Sequence, residues 1–495
     1  MKKLWAFICA ALIASLSMLT LAGCGEKAET ITLRVCSWEE YIDLGGWEDD
    51  EVIDLESGDI FGENSMVDDF TQWFNSTHDF NVKVEYSTFG TNEDLYNRLS
   101  LGDEYDLVCP SDYLLMKLIA EEKAEKFSDE FFNGEHSYYH KYVSPYIDGI
   151  FRRYGWDEYA AGYMWGTSGL VYNPERADEE DVSTWNVLLN EKYNRQVTVK
   201  DNVRDAYFAT LGIINSEKLL SNKFTESELS EIMNATDGET LEKAQSVLKD
   251  IKSNVYSFET DAGKSDMVTG KVIANYQWSG DAVFIMDEAE NEGTELWYSV
   301  PQECANLWFD GWVMLKDGID GNSQRKTAAE AFVNFLSRPD NAVRNMYYIG
   351  YTSAIAGDTV LEYMDWNYGA EEGVETLDYD VSYFFGEEDC VIQADKLNFG
   401  LDGKGEISFG RQLFAQYPPA NVIERSVVML DFGDRLGDIN QMWVNVRCPD
   451  LRDISPAAAG IVAAVVAVVA IACVLYAFRY KLFITHRPKK GFEKV

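Results

Sequence analysis

Apolar residues recur along the chain at two spacings, and the changes between them outline its elements. "ITLRVCSW" reads as a strand, and "SMVDDFTQWFN" puts Val67, Phe70, Trp73 and Phe74 on one helical face. "FNVKVEY" alternates at period two through Phe80, Val82, Val84 and Tyr86. A Thr91-x-x-Asp94 capping box opens the next helix, and "YDLVCPS" is a short apolar strand ending at a Pro-Ser turn. This β-α-β-α-β order predicts a parallel α/β sheet, with ligands expected where its strands end. A second alternation runs through "AAGYMWGTSGLVYN", "QVTVKDNVRDAYFATLGI" and "KVIANYQWSGDAVFIM", with a polar helical block at Glu226 to Lys252 between them. After "NLWFDGWVML", the helix in "RKTAAEAFVNFLSRP" is expected to pack Ala328, Ala331, Phe332 and Phe335 back on the first lobe. Trp47 to Glu63 and Tyr368 to Asp389 carry neither Lys nor Arg and little periodicity, and are expected as acidic surface insertions.

The two ends have a different pattern. Lys2 and Lys3, an apolar run from Leu4 to about Leu19, and Leu21-Ala22-Gly23-Cys24 make an export signal ending in a lipobox, which predicts a leader at 1–23 and lipidation of Cys24. Ala457 to Phe478 is an uncharged apolar run, long enough as a helix at ~1.5 Å per residue to cross a hydrocarbon core of ~30 Å. Basic residues dominate 479–495, so the positive-inside rule places that tail in the cytoplasm and everything from Cys24 to the span outside it.

The formal charge of −42 includes both basic ends, so the exported part is more acidic still and excludes a nucleic-acid partner. Cys36, Cys109, Cys304, Cys390 and Cys448 are odd in number and widely spaced, which fits neither a disulfide framework nor a zinc site. About 430 exported residues exceed one core and predict two lobes.

Four stretches set an aromatic beside a carboxylate at a predicted strand end: Trp38-Glu39-Glu40-Tyr41, Asp112-Tyr113, Trp278-Ser279-Gly280-Asp281 and Trp308-Phe309-Asp310. One such pair is ordinary, because aromatics belong to cores and Asp begins turns. Four at similar places in facing lobes are expected to converge on a cleft. Aromatic faces attract an ammonium at ~0.5–2 kcal/mol each, and carboxylates add charge-assisted hydrogen bonds at ~1.5–3 kcal/mol, so a linear polyamine is the ligand this chemistry suits. Enzyme signatures are weaker. His136 and His140 are four apart but not in HExxH, and "AGKS" at Ala262 to Ser265 lacks the upstream Gly of a phosphate loop. No GxSxG elbow occurs, and no catalytic residue, cofactor or metal is expected.

Taken together, "SWEEYI", "YDLVCPSDYLLMKLI", "YMWGTSGLVYN", "VKDNVRDAY", "VIANYQWSGDA", "LWFDGWVML", "FLSRPDNA" and "IGYTSA" resemble the spermidine/putrescine-binding proteins of bacterial ABC transporters, from about Ile31 to Asp434. The resemblance implies a two-lobed periplasmic-binding-protein fold of type II-like α/β class, hinged at a cleft, here with one C-terminal transmembrane helix added. After a linker at 24–30, the expected divisions are a first lobe at 31–160 with an insertion at 47–63, and a second lobe at 161–307. A return to the first lobe follows at 308–450 with an insertion at 368–389, then the span at 457–478. The family's aromatic box falls on Trp38, Tyr41, Tyr113, Trp278 and Trp308, and its carboxylates on Glu40 and Asp310. Its D-x-R-E segment falls on Asn202 to Asp205, so Asp205 keeps an acid where Asn202 has lost one. Tyr351 matches a ligand-reaching tyrosine, and Ser111 lies beside the box. A late family glutamine falls near Met429 and is not carried over. The implied function is the substrate-binding component of a polyamine importer, a membrane-anchored monomer that delivers ligand to permease subunits driven by a separate ATPase. The preferred polyamine stays open, as do another organic cation or small solute on the same scaffold, a polyamine sensor, and a surface hydrolase.

Overall fold

The computed structural model describes residues 29–48, 51–401, 404–448 and, within the C-terminal apolar run, 464, 465, 467–469, 471–473 and 476. The expected leader, Cys24, the basic tail and most of the 457–478 span lie outside the described residues. Among the described residues no helix is long and apolar enough to cross a membrane. The described residues up to Leu436 form one compact unit, and those from Gly437 onward belong to a second.

In the first unit, Thr30–Trp38 (β1) is followed by Met66–Thr77 (α1), Asn81–Phe89 (β2), Asn92–Leu101 (α2), Leu107–Val108 (β3) and Asp112–Ala120 (α3). β1 lies between β2 and β3 and runs parallel to both, the expected β-α-β-α-β arrangement. Local chemistry sets the helix starts: Ser65 accepts from the Asp68 amide and Thr91 from the Asp94 amide. Only half of the expected capping box forms, because the Asp94 carboxylate pairs with Arg98 one turn on.

Ala160–Tyr172 (β4) is buried along its whole length. Beyond it come Val197–Lys200 (β5), Val203–Ile214 (α4), Ser257–Glu259 (β6), Ala262–Val268 (α5), Ala274–Trp278 (β7), Ser279–Asn291 (α6), Trp297–Ser299 (β8) and Ala305–Leu315 (β9). β5 is parallel to β6 and β7, a second parallel core. The polar block between α4 and β6 is two helices, Glu226–Met233 and Gly238–Asn254, separated where Asp237 caps the second.

β4 joins the two halves of one continuous sheet, and β9 lies between β4 and β3. Residues 160–167 of β4 pair antiparallel with 307–313 of β9, and residues 168–172 of β4 pair with β7 and β8. The other end of β9 pairs with β3. These central strands are covered on both faces, which explains their unbroken apolar runs.

The amphipathic helix is Ser323–Leu336 (α7), and Phe332 meets Phe70 of α1 edge-on at 4.9 Å, so α7 returns to the first lobe. The later chain does not all follow it. Phe399–Leu401 and Ile407–Gly410 extend the second half of the sheet beyond β8, so the 308–450 stretch contributes to both lobes.

The acidic insertions are largely exposed, and each also sends a few side chains into the core. Trp47, Ile53, Leu55 and Ile60 are buried in the first, where Ile53 and Ile60 bridge antiparallel. In the second, Thr376–Asp380 pairs with Val391–Asp395, and Tyr379, Val381 and Phe384 are buried. Their few apolar residues follow no helical or strand period because each enters the core from a turn or a short ladder. His136 and His140 are both exposed, but only His140 is helical, since His136 lies in the turn before Tyr138–Tyr142.

Candidate functional site

Both parallel cores present their strand C-termini to one region. Trp38 ends β1 and packs against Phe89, its register partner at the end of β2, at 4.8 Å. Cys109-Pro110-Ser111 leaves β3 and leads into α3. On the other side Lys200 ends β5, Thr260 follows β6 and Trp278 ends β7. Trp308 and Asp310, two apart on β9, share a face, and the register shift immediately after Asp310 re-aims the strand there.

Asp310 is buried. Its Oδ2 accepts the Tyr41 hydroxyl at 2.5 Å, while Oδ1 is buried and makes no hydrogen bond of its own. Burial pushes its pKa up to about 6, against the lowering effect of the Ser111 and Tyr41 hydroxyls. Ser111 bridges to Asp310 through the backbone, and its hydroxyl accepts from Asn92. Asp112 is held still higher, at about 8, by burial and then by the charge of Asp310, although the Tyr113 and Phe309 amides donate to it.

Aromatic rings lead from Asp310 into the second lobe. Tyr41 meets Tyr351 edge-on at 5.3 Å, and Tyr351 meets Trp308 at 5.6 Å. The Trp308 indole donates to the Thr167 carbonyl at 3.2 Å and lies over Gly166, where an added Cβ would come within 2.6 Å of the ring. The Tyr351 hydroxyl donates to Asp281 Oδ1 at 3.1 Å. Asp281 also pairs with Lys264 at 2.9 Å and Lys200 at 3.4 Å. Burial raises its pKa, but the two lysines and the Tyr351 hydroxyl together hold it below the usual value. The Lys200 ammonium lies 4.0 Å from the ring centroid of Trp278, whose indole donates to Asp205 Oδ1 at 3.4 Å. Asp205 is buried and pushed up to about 6, an effect tempered by Lys200, Trp278 and Arg204. Arg204 stacks its guanidinium 3.6 Å from the Tyr113 ring, a contact between the lobes.

Tyr41, Asp310, Trp308, Tyr351, Trp278 and Asp205 therefore lie along one connected network, with Ser111 beside it and Tyr113 joined through Arg204. Trp38 stands at the adjoining strand end, and its indole nitrogen is buried without a partner. Glu40 is exposed in left-handed backbone at φ 53, and its charge acts on Lys264. Asn202 has a structural job that its alignment does not show. It is the N-cap of α4, with its side-chain oxygen accepting from the Arg204 amide at 2.7 Å. Lys200 and Lys264 were not among the sequence candidates, whereas Asp281 was named as the carboxylate of the Trp278 stretch. Asp281 stands in "WSGDA", Lys264 in the "AGKS" set aside as a phosphate loop, and Lys200 is a lone charge at the end of a buried strand, the one signal that marks it. A separate open cavity of about 760 Å³, lined in part by Tyr146, Arg153, Glu226 and Arg425, includes none of the candidate residues.

Two α/β lobes joined by shared strands, with aromatic and acidic side chains meeting where their strands end, have the build of a solute receptor. Residues 65–357 match the family described as bacterial extracellular solute-binding protein, and the chain belongs to it. It is a binding protein and not an enzyme. Over 277 residues it is 27% identical to the spermidine/putrescine-binding periplasmic protein of Salmonella typhimurium, covering 56% of this chain and 71% of that protein. Over 369 residues it is 21% identical to spermidine/putrescine-binding periplasmic protein 1 of Haemophilus influenzae, covering 72% and 86%. The fold matches the spermidine/putrescine ABC transporter substrate-binding protein PotD of Streptococcus pneumoniae with a TM-score of 0.54, at 22% identity over 84% of this chain and 98% of that one. It matches the TpPotD lipoprotein of Treponema pallidum with a TM-score of 0.56, at 18% identity over 84% and 99%.

Proposed function

We propose that this protein captures a polyamine, spermidine or putrescine, for an ABC importer and passes it to membrane permease subunits. The observation that carries the reading is Asp310: a buried carboxylate with one oxygen unpartnered, walled by Tyr41, Trp308 and Tyr351. A buried acid without a cation is costly unless something charged arrives to pair with it. An alkyl ammonium suits the surroundings, because its methylenes lie against rings while its head takes the free oxygen. Trp38, Glu40, Tyr113, Trp278 and Asp205 form the remaining wall in this reading, and Ser111 supports Asp310. Asn202 acts through α4 and not on the ligand. The relatives' names support the ligand class.

The anchoring belongs to the same reading. Lipidation at Cys24 and a span at 457–478 would keep a monomeric receptor beside its permease with the cleft on the extracytoplasmic face. Intrinsic tryptophan fluorescence, titrated with putrescine and spermidine, tests the binding. A saturable change in the micromolar range is expected, and a flat response to both up to millimolar concentrations rejects it.

A further inference from the structure

The second-lobe end of the cleft is a complete amine cradle that the protein fills itself. The Trp278 face, the Asp281 Oδ2 atom and the Thr260 carbonyl converge on the Lys200 ammonium at 4.0, 3.4 and 3.1 Å. An aromatic face, a carboxylate and a carbonyl are the groups that recognise a ligand amine. Lys200 is 1% exposed and ends β5, so this head is tethered by a strand and cannot diffuse away. Lys264 supplies Asp281 with a second cation. At the other end Asp310 makes no ion pair among the described residues and keeps an unpartnered oxygen. The cleft thus holds one carboxylate without a cation of the protein's own and one already neutralised.

We infer that Lys200 is a specificity-determining residue whose ammonium occupies the place a further ligand amine would take, so that the cleft favours a short diamine over a longer triamine. The inference rests on the polyamine reading of the cleft. A triamine reaching from Asp310 to the Trp278 end would bring a like charge against Lys200 in a poorly hydrated place, where repulsion is screened far less than in water. A diamine held at Asp310 avoids that contact. Neutralising Lys200 exposes the ring face and Asp281 Oδ2, and Asp281 is still paired by Lys264 and Tyr351.

The test is calorimetric titration of putrescine and spermidine into the full chain and into Lys200→Met. Wild type is expected to favour putrescine, and Lys200→Met to shift the spermidine-to-putrescine affinity ratio toward spermidine by about 10-fold or more, the scale of one charge-assisted contact. Lys200→Arg, which keeps the charge, is expected to retain the wild-type ratio. Lys200→Gln keeps a donor for Thr260 and replaces the Met variant if that one does not fold. A wild type that already prefers spermidine, or a ratio unmoved in folded neutral variants, overturns it and leaves the polyamine reading standing. No binding by any form overturns both.

Discussion

Asp310 and Asp281 are both buried carboxylates of one cleft, but their partners differ. Asp281 is surrounded by two lysines and a phenol; Asp310 has a phenol, a serine and one idle oxygen. Replacing Asp310 with Asn removes the charge at little change in volume. It is expected to weaken polyamine binding by more than about 10-fold, measured by calorimetry, and unchanged affinity would remove Asp310 from the site. The same carboxyl gives a pH dependence. Its pKa in the folded protein, about 6, is above the ordinary 3.8, so the folded state favours the neutral form. The charge therefore costs stability at pH 7, by roughly 3 kcal/mol at ~1.36 kcal/mol per unit, and that cost disappears as pH falls from about 6 to about 4. Binding has the opposite slope, because only the ionised form pairs with an ammonium. Affinity is expected to drop roughly 10-fold between pH 7 and pH 5, with proton release on binding near pH 6. A pH-independent Kd over that range would contradict this role.

At the scale of elements, the two crossing strands position the aromatic walls. Trp308 of β9 lies opposite Gly166 of β4, and the absent side chain there makes room for the indole. Gly166→Ala is expected to displace Trp308 and weaken ligand binding while the protein still folds. Near-ultraviolet circular dichroism together with a titration checks this, and an unchanged spectrum and affinity would show that the ring is not seated by the glycine. The strands and helices were legible because burial imposes period: β1, α1 and α7 each present one apolar face, and β4 and β9 are apolar throughout. The aromatic-acid pairs at strand ends were legible for the same reason, since a charged group after an apolar run must lie near an exit from the core. The lysines were not. Whether Lys200 at the end of "VTVK" faces solvent or a carboxylate depends on Asp281, 81 residues on, and no local pattern carries that pairing. The capping role of Asn202 was not read either, although its position before α4 marks it, because attention fell on the acid it replaces. The acidic insertions hid their buried residues because their few apolar side chains are too sparse for any period.

For the whole molecule, a chain of net charge −42 draws polycations toward the cleft, so association is expected to slow as salt rises. Stopped-flow rates that do not respond to ionic strength would remove that steering. Contacts such as Arg204 on Tyr113 and Tyr351 on Asp281 tie the walls together, so ligand contact from both sides would favour the shut arrangement. Anchoring is separable from binding. Cys24→Ala is expected to abolish lipid labelling of the exported protein without altering ligand affinity, and labelling that persists would place the acyl chain elsewhere. The most direct measurement is calorimetry of the purified full chain with putrescine at pH 7. One site per chain with a Kd in the micromolar range, ~8 kcal/mol, is expected, whereas heats indistinguishable from dilution up to millimolar putrescine and spermidine would contradict a polyamine receptor.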